Sequence, residues 1–337
     1  MVQSTEPIID IYCHIYPKRF FEEMTKISPK MENLGKRLRS VTNLLNLDSR
    51  FRQMDNFGDY RQVISLPNPP IEEIADAKAG PELVRIANEG MAELCARHPD
   101  RFPAFVAAVD LTNVDASMAE ARRAINDLGA RGIQIFTQVA GRPLDEATFQ
   151  PIFATLAELD RPIWLHPART ASVPDYSAEL RSRYEMWWCF GWPYDTSVAM
   201  TRLVFAGLFD RHPQLKIVTH HCGGMIPFFD GRVGRGLEVL GSRTTDEDYS
   251  RVLSSLKRPH LEYFRMFYAD TAMFGGQYGV KCALEFFGAN RIVFATDTPF
   301  GPIDETLDVI NQIDLDDAHR RQVLAGNAET LLNLKSG

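Results

Sequence analysis

Residues 162–166 read PIWLH, residues 197–211 read SVAMTRLVFAGLFDR, and residues 216–221 read KIVTHH. The outer two pieces are short apolar runs, with proline and histidine at the ends of the first. The middle piece is longer and amphipathic at helical spacing. That order predicts a strand, a crossover helix and a second strand parallel to the first. Both strands end on histidine, at His166 and at the pair His220–His221.

The same rhythm extends in both directions. Short apolar runs at 8–14, 62–66, 104–109, 132–136, 266–270 and 291–296 complete a set of eight candidate strands with 162–166 and 216–220. Helical patterns fall between them at 81–97, 114–128 and 149–159; in 114–128, Met118, Ala121, Ile125 and Leu128 share roughly one face. Eight strand–helix units predict an α/β fold, a closed (β/α)8 TIM barrel forming one domain over residues 1–337. The competing open, doubly wound sheet lacks its Gly-rich dinucleotide fingerprint after the first strand. Two segments interrupt the rhythm. Residues 18–54 read as a helical insertion after strand one. Residues 169–193 form a long loop after strand five, rich in aromatics (Tyr176, Tyr184, Trp187, Trp188, Phe190, Trp192).

Composition narrows the function classes. Apolar residues make up 45 % of 337, enough for a large core, and the net charge of −7 excludes the basic footprint of a nucleic-acid binder. The five cysteines form no CxxC pair, and residues 1–7 lack the apolar core of a secretory signal, so a reducing, cytoplasmic setting is expected. No apolar run is long enough to span a bilayer.

In a parallel barrel the chemistry gathers at the carboxyl ends of the strands. Tyr12 and His14 close strand one, His166 strand five, His220 and His221 strand six, Asp270 strand seven and Asp297 strand eight. Imidazoles and a carboxylate converging on one mouth suit a divalent metal, and the same groups can move protons. Alternation along a strand puts Tyr12 and His14 on one face and Cys13 on the other. His98, His212, His260 and His319 read as structural; His98 and His212 each precede a proline and look like helix-end residues.

The segments IDIYCHIYP (9–17), RFRQMD (50–55), WLHP (164–167), WCFGWP (188–193), HCGGMIPFFDGR (221–232) and FATDTPFG (294–301) occur in that order over nearly the whole chain. Together they resemble the amidohydrolase-2 group of the amidohydrolase superfamily, which includes aminocarboxymuconate-semialdehyde, γ-resorcylate and 5-carboxyvanillate decarboxylases. The resemblance implies that His14, His166 and Asp297 are metal ligands. It implies that His221, spaced correctly from Pro227, is the catalytic histidine, working with Asp297. It implies that Arg50 holds a substrate carboxylate and that Trp188 lines the pocket. It implies that Arg232 reaches into the site of a neighbouring subunit, hence a homodimer or dimer-based oligomer. Asp270 is a candidate for contact with substrate or with a ligand histidine, or a loop cap.

One position departs from the family, which opens with His-x-His or Glu-x-His where this chain has Tyr12-Cys13-His14. Three arrangements are open. Tyr12 binds the metal as phenolate, the metal keeps three protein ligands with Tyr12 behind them or facing substrate, or metal binding is lost. A phenol ionises near pH ~10, which disfavours the first unless the metal lowers that value. The ion expected from the imidazoles is Zn2+, with Mn2+ or Mg2+ as alternatives. The function expected is decarboxylation of a small aromatic or unsaturated carboxylic acid. The alternatives are a hydrolase on the same scaffold, acting on a lactone, an amide or a C–C bond, and an inactive barrel that binds an aromatic acid.

Overall fold

The computed structural model describes residues 6–28 and 32–334. Eight parallel strand positions follow in chain order: β1 (Ile8–His14), β2 (Tyr60–Ser65), β3 (Ala104–Phe105 with Ala107–Ala108), β4 (Ile133–Phe136), β5 (Ile163–His166), β6 (Ile217–Thr219), β7 (Tyr268–Asp270) and β8 (Ile292–Val293). Each pairs in parallel with its sequence neighbour. The two pieces of β3 face different partners: Val106 N donates to Ile64 O, whereas Ala107 N donates to Gly132 O. The seam between β8 and β1 is carried by Ile11 N to Phe294 O, His14 N to Thr298 O and a parallel bridge at Cys13–Thr298, in place of a full ladder. The ring of strands expected from the sequence is therefore present.

The expected β8 was 291–296, yet its ladder stops at Val293. The next amides are engaged elsewhere. Phe294 N donates to Val323 O, Ala295 N to Thr271 Oγ1 and Thr296 N to the Asp10 carboxylate. Asp10 is fully buried and also accepts from Tyr60 Oη and Thr296 Oγ1, both at 2.5 Å, so it ties β1 to β2 and to the chain after β8.

Inside the ring pack Ile9, Ile11, Tyr12, Val63, Val106, Trp164, Val218, Val293 and Ala295. Trp164 is wholly buried and donates Nε1–H to Ile11 O at 3.0 Å, which satisfies its one polar atom; side-chain burial of this size is worth roughly 2–3 kcal/mol. The β1 register slips between Asp10 and Cys13, and this bulge lets Ile11 and Tyr12 both reach the interior. Cys13 lies in the outer layer, as alternation predicts.

That outer layer is helical. It includes α1 (Lys18–Ile27), α2 (Glu32–Ser40), α3 (Leu47–Met54), α4 (Gly80–Arg97), α5 (Val114–Asn126), α6 (Gln150–Glu158), α7 (Gly191–Phe205), α8 (Gln277–Phe287), α9 (Ile303–Gln312) and α10 (Asn327–Leu332). The insertion after β1 is helical as expected, its residues 29–31 lying outside the described residues. His98 and His212 are helix C-caps. The helix expected at 197–211 instead runs from Gly191 to Phe205. Pro193 is tolerated in its first turn, and Gly207, at φ 70°, separates it from the short turn Leu208–Arg211. Among the described residues no helix is long and apolar enough to cross a membrane, and all five cysteines are free.

Candidate active site

A cavity of about 650 Å3 opens at the carboxyl ends of the strands. Its floor carries His14, His166, His221 and Asp297. Its walls carry Trp187 and Trp188 from the segment after β5 and Trp192 from the first turn of α7, with Phe274, Phe300 and Arg37. The ring of residues expected from β1, β5, β6 and β8 is thus brought together.

Each imidazole is held by a different device. His14 Nδ1 faces Leu66 O at 3.1 Å and Ser65 Oγ at 3.3 Å. His166 Nδ1 faces Pro167 O at 2.8 Å and Asn68 Nδ2 at 3.3 Å. His220 Nδ1 donates to the fully buried Asp270 carboxylate. A ring whose Nδ1–H is donated to a carbonyl or carboxylate presents a lone pair at Nε2. His14 Nε2 lies 3.1 Å from Asp297 Oδ1, and His220 Nε2 lies 3.5 Å from the same oxygen. Both Nε2 atoms are buried without a hydrogen-bond partner. A nitrogen lone pair and a carboxylate oxygen at that separation repel unless a cation or proton lies between them. Ring nitrogens of His14, His166 and His220 also sit within 4.8 Å of one another. These residues fit a divalent ion.

The electrostatics follow from burial and neighbours. Burial alone would raise the Asp297 pKa, but the close approach and charge of the His14 and His220 rings hold it far below the usual carboxylate range. Burial and the neighbouring His220 and His14 push His166 down; burial and His220 push His221 well down. Burial also lowers His220, yet the charge and hydrogen bond of Asp270, with Asp297 behind, outweigh it and raise it to about 9. His221 Nδ1 is buried without a partner, and its ring is sandwiched between His220, at 3.8 Å, and Trp192, at 6.0 Å.

The backbone here is strained. His221, Cys222, Phe274 and Asp297 all adopt positive φ, each at a cost of about 1 kcal/mol or more, and such strain gathers at functional sites. The turn after His221 is fixed by Cys222 N to Asp270 Oδ1 at 2.9 Å and by Gly224 N to His221 O at 2.9 Å. Gly224 is required: its φ is 64°, and a Cβ there would lie 2.5 Å from Pro193 O. That contact clamps the turn against α7.

Three expected residues lie elsewhere. Tyr12 is fully buried behind the cavity, its ring stacked on His220 at 3.9 Å and its hydroxyl without a partner. Burial and the charges of Asp270 and Asp297 raise its pKa well above the ordinary value, so nothing in the protein itself favours a phenolate. Arg50 does not reach the cavity. It is 1 % exposed and bonds Gln62 Oε1 at 2.6 Å, His14 O at 2.7 Å and Asn43 O at 3.2 Å, because α3 runs behind β1 and directs it at β2. In this arrangement the guanidinium braces β1 and β2, and Arg50 is absent from the lining of the cavity. Arg232 is exposed, away from the cavity of its own chain, with its guanidinium 6.0 Å from the Phe229 ring. Asp270 serves as both cap and brace, since it also accepts from Cys222 N and Ala272 N. Trp188 lines the cavity as expected, its indole N–H given to Glu185 at 2.9 Å. The sequence reading missed Arg37, Asn68 and Phe300. Phe300 lies within the quoted 294–301 motif, whereas nothing in the sequence marked Arg37.

The family model for amidohydrolases, the amidohydrolase-2 group, matches residues 9–334. The chain belongs to this family. It is 33 % identical over 305 residues to a γ-resorcylate decarboxylase of Rhizobium radiobacter, covering 85 % of this chain and 87 % of that protein. It is 26 % identical to the 2-amino-3-carboxymuconate-6-semialdehyde decarboxylase of Dictyostelium discoideum, over 97 % of this chain and 91 % of that one. Among solved structures it is similar to a dihydroxybenzoic acid decarboxylase from Polaromonas, holding manganese and the inhibitor 2-nitroresorcinol, with a TM-score of 0.80 and 28 % identity over 98 % of each chain. The barrel expected for the family is thereby supported by both fold and sequence.

Proposed function

We propose that the protein is a metal-dependent, non-oxidative decarboxylase, a carbon–carbon lyase acting on a small aromatic carboxylic acid of the hydroxybenzoate kind. The observation that carries this reading is one cavity holding the imidazoles and Asp297 beneath an aromatic wall. Its relatives with that scaffold are decarboxylases. A hydrolase or an inactive binding barrel has no comparable support.

His14, His166 and Asp297 would hold the ion. Two imidazoles and a carboxylate suit Zn2+, the ion the sequence suggested, and also Mn2+, which the Polaromonas structure holds. When bound, a divalent ion supplies charge that orients the substrate oxygens and stabilises negative charge as it develops. The rest falls to the protein. Trp188, Phe274 and Phe300 enclose a ring and exclude water. Arg37, on α2, brings a guanidinium to the cavity and pairs with a carboxylate, the role first expected of Arg50.

Burial and their neighbours hold His221 and Asp297 in their unprotonated forms in the resting site. His221 takes a proton from a ring hydroxyl and returns it to the carbon bearing the carboxylate. The C–H bond forms there as the bond to carbon dioxide breaks, and water restores the hydroxyl proton. Arg232, exposed on its own chain, acts at a neighbouring site in a homodimer. The cytoplasm is the compartment consistent with five free cysteines.

His221→Ala tests the assignment. Turnover should fall to background while bound metal and thermal stability stay near wild type. Retained turnover would remove His221 from the reaction.

A further inference from the structure

The substitution at position 12 leaves the family's first ligand position with a phenol that does not face the cavity. The space is filled by another residue. His220, the residue before the catalytic histidine, stacks face to face on Tyr12, with ring centroids 3.9 Å apart and planes 15° apart. Its Nε2 reaches to 3.5 Å from Asp297 Oδ1. We propose that His220 is a metal ligand in this chain, completing a set of His14, His166, His220 and Asp297 in place of the ligand missing at position 12.

This rests on the metal-dependent reading above and adds to it the identity of the fourth protein ligand. Three observations carry it. First, a ring nitrogen of His220 lies within 4.8 Å of ring nitrogens of both His14 and His166. Second, its Nε2 is buried with no hydrogen-bond partner, as is that of His14. Third, its Nδ1 is bonded to a buried carboxylate, Asp270, itself fixed by the amides of Cys222 and Ala272. A carboxylate or carbonyl behind Nδ1 is the arrangement that fixes the tautomer and orientation of metal-binding histidines. His14 and His166 have it through Leu66 O and Pro167 O. His221 lacks it, since its Nδ1 has no partner. The two adjacent histidines thus divide the work: His220 is braced for coordination, and His221 is left to move a proton. Tyr12 becomes a flat wall that holds the His220 ring in place.

Manganese binding to the purified, metal-stripped protein, read by the loss of the free-ion electron paramagnetic resonance signal, tests this without any substrate. Wild type should take up about one equivalent, and His166→Ala should lose it. His220→Gln should weaken binding at least tenfold. Asp270→Asn, which keeps the imidazole but loses its brace, should weaken it by about 10–100-fold. Tyr12→Phe should bind within about twofold of wild type. Wild-type affinity in His220→Gln, alongside loss in His166→Ala, would overturn the proposal and leave the metal site standing on three ligands. Loss of the ion in Tyr12→Phe would overturn it in favour of the phenol. Unchanged binding in His166→Ala would take down the underlying site as well. Should His220→Gln fail to fold, as judged by circular dichroism, Asp270→Asn and Tyr12→Phe decide between the same outcomes.

Discussion

Replacing Arg50 by Met separates two roles that the sequence alone could not. A residue that anchors substrate would, when removed, raise KM or lower kcat and leave stability intact. The structure assigns Arg50 to the frame. Its guanidinium joins α3 to β2 through Gln62 and to the end of β1 through the carbonyl of His14, with almost no exposure. Removing it leaves the Gln62 side-chain oxygen and the His14 carbonyl without their donor. Leaving these two buried neutral acceptors unpaired costs about 1–3 kcal/mol each, or about 2–6 kcal/mol together. For 337 residues the unfolding entropy near Tm is about 0.7 kcal/mol/K, so the melting temperature should fall by about 3–9 °C. Arg50→Lys should recover only part of this, because an ammonium cannot match the fork that reaches Gln62, His14 and Asn43 together. The assay is thermal unfolding alongside steady-state kinetics below the transition, where KM should stay within about threefold of wild type. An Arg50→Met protein with unchanged Tm and a KM raised a hundredfold would refute this placement.

Trp188→Ala should raise KM by about tenfold, the equivalent of about 1.4 kcal/mol of ring contact, with little change in Tm because the side chain is only half-buried; an unchanged KM would take the indole out of the binding wall. Glu72 gives a pH-dependent test away from the site. Burial raises its pKa to about 8, and one carboxylate oxygen is without a partner. The folded state therefore keeps a proton that the unfolded chain releases above about pH 4.5, so this group's favourable contribution is complete below pH 4.5 and is lost as pH rises towards 8. Glu72→Gln should match wild type near pH 4.5 and be more stable by up to about 5 kcal/mol at pH 8.5, or up to about 7 °C in Tm; equal stability at both pH values would contradict the burial.

Much of this was legible in the sequence because strands of a parallel barrel read as apolar runs and their polar ends mark the mouth. Strand β1 was legible to the residue, since its seven positions are all buried and its ladder is long. The end of β8 was not, because side chains of Asp10 and Thr271 take its amides, and periodicity carries no trace of that. The start of α7 was signalled by Pro193 and its end by Gly207, but the aromatic density of 188–193 read as loop. His14, His166, His221 and Asp297 were legible as a constellation because each closes a strand. The turn of Arg50 towards Gln62 and the His14 carbonyl was not legible, because a motif fixes position along the chain and not the direction of a side chain. His220 was passed over for its neighbour, since only the brace from Asp270, fifty residues away, separates their roles.

The most direct test is carbon dioxide release from 2,6-dihydroxybenzoate and related hydroxybenzoates by the manganese-loaded protein and by the same protein stripped with chelator. The account predicts stoichiometric carbon dioxide and decarboxylated arene from the loaded protein, almost none after stripping, and recovery on adding back the ion. Turnover that survives complete removal of metal, or a product that has gained water and kept its carboxylate, would contradict it.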